Sequence, residues 1–321
     1  MKNTTFEIGK NVIDLQIAAL KKLKKEINSS FNDAVNTIIK CKSKVIICGV
    51  GKSGIIASKI SATLSSVGTP SFTVSANDCS HGDMGRITKN DILILISNSG
   101  NTSELIDLIK YAKLNKIILI CIVSKKNSKL YKSSNIKLLI PEAEEAGYGI
   151  VPTTSTTSQL SIGDALAIAV MKKKKFSKLD FKKFHPSGSL ANKLKTAGDL
   201  MLIKKKIPFV EENQSLEKAL QILNSKKLGF IVIIDRQNNT KGVFTDGDLK
   251  RLVRKRKKIY DLKIKSVMTK NLFSVEKNTL ASDILMQMNK KKITNVCVYS
   301  KENKRQTIGI LHIHDLIKIF K

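Results

Sequence analysis

The sequence is short of several things that mark large protein classes. It has five cysteines (Cys41, Cys48, Cys79, Cys121 and Cys297), an odd number with no CxxC pair. That speaks against a disulfide framework or a zinc ribbon, and reduced thiols in the cytoplasm fit better. No apolar run approaches the length of about 20 residues that a membrane span needs. Residues 117–123 are among the longest such runs. No charged stretch followed by an apolar one opens the chain, so no signal peptide is expected.

Arginine is scarce as well. Only six of the 57 basic residues are arginine, against 26 acids and a net charge of +31. A nucleic-acid surface concentrates its charge and favours arginine forks. Here lysine is spread along the chain beside many asparagines and isoleucines, the trio that AT-rich codons encode. The excess reads as solvated faces, with non-specific attraction to polyanions as a side effect. The densest basic run, residues 254–258, lacks interleaved aromatics, so no specific nucleic acid and no membrane partner is expected.

What is present is ordinary for a soluble globular protein: 42% apolar and 26% charged residues. With about 100–200 residues per domain, a chain of 321 residues holds two or three units.

Ile13, Ile17, Leu20, Leu23, Ile27, Phe31, Val35 and Ile38 recur every three or four positions. This predicts one long amphipathic helix across the first 40 residues. Short apolar runs then predict buried strands at 45–50, 72–74, 92–96, 117–123 and 136–140. Helical stretches at 53–67, 103–114 and 157–171 separate or follow them. The fold class is α/β, a three-layer parallel sheet of flavodoxin-like or Rossmann-like form. The segment 171–183 reads as the exit from this unit, followed by a loop at His185-Pro186-Ser187-Gly188.

The back half repeats itself. Met201 and Met268 lie 67 residues apart, as do Gly242 and Gly309, Asp248 and Asp315, and Leu249 and Leu316. Such a period indicates two copies of one supersecondary unit packed together.

In open parallel sheets, ligands sit beyond the carboxyl ends of the strands. Gly49-Val50-Gly51-Lys52-Ser53-Gly54 follows the first strand and opens a helix, without the spacing of a Walker loop or of GxGxxG. Ser97-Asn98-Ser99-Gly100-Asn101-Thr102-Ser103-Glu104 follows the third strand, and Thr153-Thr154-Ser155-Thr156-Thr157 opens the last helix. One hydroxyl suffices for an N-cap. Two hydroxyl-rich helix starts in one sheet point to a phosphorylated small molecule. Glu104, Glu145, His81 and His185 all fall near the same predicted rim. No HxH or HExxH spacing occurs in the front half, and His312-Ile313-His314 belongs to the repeat, so no metal site is read.

These motifs resemble a known arrangement. Gly51-Lys52-Ser53-Gly54, His81-Gly82-Asp83, Ser97-Asn98-Ser99-Gly100, Ser155-Thr156-Thr157 and His185-Pro186 are similar to a sugar isomerase (SIS) domain, here residues 1–190. The stretches 242–249 and 309–316 resemble the ends of cystathionine-β-synthase (CBS) repeats, here 199–258 and 265–321, an α+β tandem pair. An SIS domain followed by a CBS pair resembles the bacterial D-arabinose 5-phosphate isomerases. The chain departs from their pattern at Ser187, in a segment usually richer in glycine, and across 146–151.

The resemblance implies reversible conversion of D-ribulose 5-phosphate to D-arabinose 5-phosphate through an enediol. The product supplies Kdo, an acidic sugar of lipopolysaccharide. It implies Lys52, Glu104, Glu145 and His185 as catalytic residues. Substrate contacts are expected from Gly51, Ser53, His81, Ser97, Asn98, Ser99, Thr102, Thr153, Ser155 and Thr156. Glu145 is the favoured base, on the expectation that desolvation raises its pKa. Glu104 is its rival. No cofactor is required. The CBS pair offers Thr245, Asp248 and Asp315 to a nucleotide or sugar-nucleotide effector, but His312 stands where the first repeat has Thr245. A weak or absent site with a structural role is expected there. A cytoplasmic homotetramer follows by analogy.

Three rivals are weighed. A non-catalytic phosphosugar-sensing regulator carries an N-terminal helix-turn-helix, which the first 40 residues do not resemble. SIS isomerases of other sugar phosphates usually lack a CBS pair. A CBS energy sensor with a degenerate front domain would not keep the Lys, Glu and His set.

Overall fold

Four short runs rich in isoleucine, leucine and valine, with the shorter Ser71-Phe72-Thr73 at one edge, form one parallel sheet. Its strands are β1 (Val45–Gly49), β2 (Ser71–Thr73), β3 (Ile92–Ile96), β4 (Ile118–Val123) and β5 (Ile136–Leu139), in the order β2-β1-β3-β4-β5. The structure, a computed structural model, describes residues 4–255, 259 and 261–320. Residues 256–258 of the basic run at 254–258 lie outside them. The strands fall where the apolar runs predict them.

The helices of this unit are α1 (Thr5–Glu26), α2 (Ser29–Lys40), α3 (Lys52–Ser66), α4 (Ala76–Cys79), α5 (Ile106–Leu114), α6 (Lys129–Ser133), the turn α7 (Ala146–Ile150), α8 (Thr154–Lys173) and α9 (Lys178–Phe184). They cover both faces of the sheet. Alternate residues of each strand point to opposite layers. Ile47, Ile94 and Ile122 pack with Ile60 of α3 and Leu166 of α8, whereas Ile46, Leu95 and Cys121 pack with Leu108 of α5 and Leu130 of α6. Burial of each such side chain contributes about 1.5–3 kcal/mol. Cys48 is one of these core residues, and burial pushes its thiol up to about 12, so it is an inert packing group.

The N-terminal stretch is two helices, not one. Asn28 stands between α1 and α2, and its Oδ1 accepts the Ser30 N–H at 2.9 Å as an N-cap. The apolar period runs unbroken through this point, so it hides the break. The stripe also overstates burial, since Ile13 and Ile17 stay 57% and 43% exposed. The lysine-rich exit at 171–183 is largely helical, with the end of α8 and most of α9 inside it.

At the amino end of the sheet, Asp91 is buried with a full set of donors. It accepts Ser43 Oγ at 2.6 Å, Lys44 Nζ at 3.1 Å, and Thr88 N–H and Oγ1 at 2.6 and 2.9 Å. Burial pushes its carboxyl up, but Ser43, Thr88 and Lys44 outweigh that and hold it below its ordinary value. This end carries structure, which leaves the carboxyl edge for chemistry.

The chain divides into two units between Phe184 and His185. The second contains α10 (Gly188–Lys193), α11 (Ala197–Leu200), then β6 (Phe209–Glu211), α12 (Leu216–Lys226), β7 (Phe230–Ile234), β8 (Thr240–Thr245) and α13 (Asp246–Lys255). The same order returns as β9 (Ser274–Glu276), α14 (Ala281–Lys291), β10 (Asn295–Tyr299), β11 (Thr307–His312) and α15 (Ile313–Phe320). Two three-stranded sheets result, β6-β7-β8 and β11-β10-β9. Their inner faces meet, with Val232, Ile234 and Val243 of one packing against Cys297 and Ile310 of the other.

The repeat marks explain themselves here. Met201, ahead of the first copy, packs on Gly309 of the second, and Met268, ahead of the second, packs on Gly242 of the first. Each lead-in crosses to the other sheet. A Cβ on Gly242 would stand 2.7 Å from the Thr269 carbonyl oxygen and 3.0 Å from Met268 Sδ. Glycine is required there by close approach.

Candidate active site

Strand order reverses between β1 and β3. After β1 the chain moves outward to β2, and after β3 it moves the other way to β4. The loops leaving β1 and β3 therefore part, and ligands of open parallel sheets bind in that crevice. Lys52 and Ser53 leave β1 into the first turn of α3, whereas residues 97–104 leave β3.

The β1–α3 turn is tight. Gly51 caps α3 with φ +58° and ψ −126°, a conformation open to glycine alone. The turn aims the N–H groups of α3 at the rim. Lys52 stands in the first turn, exposed, with no acidic residue in that turn. No hydrogen bond or ion pair engages its Nζ among the described residues. A cation at this place opposes the helix dipole. That placement is unfavourable for the helix itself.

The loop after β3 is held from within. Ser97 is buried, shares a 2.7 Å hydrogen bond with Thr102 Oγ1 and accepts the Gly100 N–H at 2.9 Å. The Asn98 carbonyl accepts both the N–H and the Oγ of Ser124, at 3.1 and 2.7 Å. Asn101 Oδ1 accepts the Lys129 N–H at 2.9 Å. Ser97 and Thr102 thus form the frame. The Asn98 and Ser99 side chains remain exposed at the rim, and Ser99 Oγ accepts the Asn101 N–H at 3.3 Å. Glu104 is fully exposed. Ser103 Oγ donates to its Oε2 at 2.7 Å, which lowers its carboxyl below the ordinary value.

Glu145 behaves differently from expectation. Its Oε2 accepts the N–H groups of Thr153 and Thr154, both at 2.8 Å, and both its oxygens lie 3.3 Å from the Ser155 N. The carboxylate closes the N-terminus of α8, where unpaired N–H groups and the dipole favour an anion. Burial pushes the carboxyl up, but the bonds from Ser155, Thr153 and Thr154 outweigh it and hold it below its ordinary value. The raised carboxyl expected for a desolvated base does not form. Ser155 is buried here, and Thr156 Oγ1 donates to the Thr153 carbonyl at 2.9 Å.

α8 lies beside α3. Gly163 faces Ile60, and Lys59 Nζ lies 2.6 Å from Asp164 Oδ2. Both helices start at the carboxyl edge, so two helix N-termini share one rim. Between Glu145 and Thr153 the chain makes a left-handed turn, with φ of 58°, 62° and 75° at Gly147, Tyr148 and Gly149.

The structure brings Gly51, Lys52, Ser53, the 97–104 loop, Glu145 and Thr153 to one edge. His81 sits in an exposed turn after α4, its N–H donating to the Asp78 carbonyl at 2.9 Å. His185 opens the second unit. In that unit, Thr245, Asp248 and His312 line one cavity of about 880 Å³. Asp248 Oδ2 accepts the Thr245 N–H and Oγ1, and its Oδ1 accepts Arg251 Nη2 at 2.5 Å. Asp315 pairs with Lys318 at 3.8 Å and is not among the residues that line the cavity, which the second repeat meets through His312 and residues 291–295.

Sequence reasoning missed Ser124, and it quoted Asn101 and Thr154 within their motifs without expecting contacts from them. Ser124 follows β4 as the serines follow β3, so the same rule of hydroxyls after strands would have found it. Thr154 Oγ1 is buried without a hydrogen-bond partner among the described residues, and the Thr154 N–H binds the Glu145 carboxylate.

Comparison with known proteins joins this geometry to a lineage. Residues 37–169 match the SIS domain family, and residues 197–255 and 264–321 each match the CBS domain family. An arabinose 5-phosphate isomerase of Yersinia pestis is 41% identical over 314 residues, covering 97% of this chain and 95% of the relative. The enzyme of that name from Escherichia coli K12 is 38% identical over the same shares. A solved E. coli CFT073 protein in complex with arabinose 5-phosphate aligns with a TM-score of 0.56 and 38% identity, over 58% of this chain and all of that one. One SIS domain, two CBS domains and full-length likeness agree: the chain belongs to the arabinose 5-phosphate isomerase family.

Proposed function

We propose that this protein interconverts D-ribulose 5-phosphate and D-arabinose 5-phosphate through an enediol. The observation that carries the reading is the meeting, at the β1/β3 crevice, of an unpaired Lys52, the hydroxyl loop at 97–104 and an exposed carboxylate, Glu104. The phosphate lies against the N-terminus of α3 and the exposed Asn98 and Ser99 side chains. Lys52 polarises the carbonyl oxygen as negative charge develops there.

From the aldose, a carboxylate takes the C2 proton and O1 gains a proton, giving the enediol. O2 then loses its proton and C1 receives one, giving the ketose. No proton or electron is left over. Glu104 is the better base of the two candidates, because its carboxylate is fully exposed, held by Ser103 and its own N–H, while both oxygens of Glu145 lie against N–H groups of α8. Glu145 fixes the start of α8 and with it the loop that borders the substrate. His81 and His185 take their parts from the family's pattern: His81 lies near the substrate, and His185 moves a proton between O1 and O2 or opens the cyclic sugar.

The product serves a cytoplasmic pathway to Kdo. The enzyme works as a homo-oligomer, with the exposed Phe6, Ile13 and Ile17 of α1 covered by a second copy. The CBS pair holds a nucleotide weakly if at all, since Asp248 is already engaged by Thr245 and Arg251. An isomerisation assay comparing the wild type with E104Q and E145Q tests the reading. Retention of wild-type turnover by E104Q would return the base role to Glu145.

A further inference from the structure

In the second unit, the ends of β8 and β11 opposite Thr245 and His312 form a separate hollow. Thr240 and Thr307 hold the same place in the two repeats, 67 residues apart. Their hydroxyls lie 2.8 Å from each other. The Thr240 N–H donates to the Arg305 carbonyl at 2.7 Å, the Thr307 N–H to Thr240 Oγ1 at 3.0 Å, and Gln306 Nε2 to the Gln237 carbonyl at 3.1 Å. Inside the first hairpin, Asp235 is 7% exposed and accepts the Gln237 and Asn239 N–H groups at 2.9 and 2.8 Å. The two turns are thus stitched into one frame.

The repeats differ at this point. Residues 235–239 join β7 to β8, whereas the longer stretch 300–306 joins β10 to β11. The longer loop carries Lys304 and Arg305. They line a hollow of about 370 Å³ together with Lys241, Ser274 and Tyr299, and among the described residues no carboxylate lines it. Lys241 is balanced by Asp235 at 3.2 Å. The side chains of Lys304 and Arg305 have no hydrogen bond or ion pair among the described residues. Arg305 is also one of only six arginines in the chain. The hollow is within the size range of small-molecule sites, about 300–1,000 Å³. An arginine fork held by its own backbone suits phosphate oxygens.

We propose that this hollow binds a small phosphate-bearing anion, with Arg305 forking the phosphate and Lys304 adding charge. Ser274 and Tyr299 offer hydroxyls to the rest of the ligand. The site lies at the opposite strand ends from the Thr245 cavity, and of the residues lining the two they share Leu272.

Calorimetric titration of the full chain with inorganic pyrophosphate, at fixed salt, tests this. Saturable binding is expected in the wild type, weakened about tenfold or more in K304A/R305A, as loss of charge-assisted bonds implies. The frame survives that change, because Arg305 contributes its carbonyl to it and not its side chain. K21A/K22A removes the same charge from exposed positions of α1 and should leave the affinity within about twofold. R305K keeps the charge, loses the fork and should bind at an intermediate level. An absence of saturable binding in the wild type overturns the proposal. So does equal binding in K304A/R305A, which places the anion elsewhere, and an equal loss in K21A/K22A, which reduces the effect to net charge.

Discussion

Glu145 Oε2 accepts the Thr154 N–H at 2.8 Å, so a carboxylate from the loop after β5 seals the first turn of α8. Removing its charge should be felt first in stability. Charge-assisted hydrogen bonds contribute about 1.5–3 kcal/mol each, so E145Q should lose about 2 kcal/mol. Thermal denaturation reads this loss directly, and hydrogen exchange should show faster exchange at the Thr153, Thr154 and Ser155 amides. Unchanged exchange there would mean that Glu145 does not hold the helix start in solution.

Lys52 carries a different expectation. It is exposed and makes no side-chain hydrogen bond or ion pair among the described residues, so K52A should fold and melt as the wild type does. Its turnover should fall by about 10²–10³, the usual loss for one group that stabilises a developing oxyanion. K52R keeps the charge at altered reach and should recover part of the rate. Wild-type turnover in K52A would remove Lys52 from the mechanism.

Asp91 predicts a pH dependence. Its folded pKa lies below its ordinary value of 3.8. The stability it contributes is therefore present above about pH 4 and lost as pH falls through the folded pKa. D91N should cost about 2–4 kcal/mol at neutral pH, because one accepting oxygen becomes an NH2 group facing donors and Lys44 loses its counter-charge. The gap between wild type and D91N should close on acidification below pH 3.8. A gap that stays constant from pH 7 to pH 2 would contradict the account.

The crossed methionines give a packing test. G242A and G309A each place a Cβ against the opposing lead-in, and each should destabilise the second unit by about 1–3 kcal/mol. M201A in the G309A background should relieve part of the strain, while M268A should not. Equal relief from either methionine would mean that the pairing is not crossed as described.

The sheet was legible because its strands are buried on both faces. Val45 to Cys48 and Ile92 to Ile96 are continuous apolar runs, and helices cover each side. The repeat was legible because Met201, Gly242 and their counterparts are fixed by contacts between copies, which preserve spacing. The hydroxyl loop was legible as a cluster, although the division of labour inside it was not. Ser97 turns inward and Ser99 stays at the rim, and this depends on the partners Thr102 and Ser124.

The break at Asn28 stayed hidden because Ile27, Phe31 and Val35 keep the helical phase across it. Asn28 ahead of two serines was the available signal, as an N-cap. The capture of Glu145 was hidden for a deeper reason. It joins residues eight to ten positions apart across a left-handed turn at Gly147 to Gly149. Burial alone predicts a raised carboxyl, and only the closed loop shows that donors outweigh it.

The central claim is tested most directly by giving the purified full-length protein D-arabinose 5-phosphate in the presence of EDTA and following ketose formation, with E104Q alongside. The account predicts turnover in the wild type and a fall of about 10²–10⁴ in E104Q, as for loss of a general base. Absence of turnover on this sugar, and on D-ribulose 5-phosphate in reverse, would contradict it.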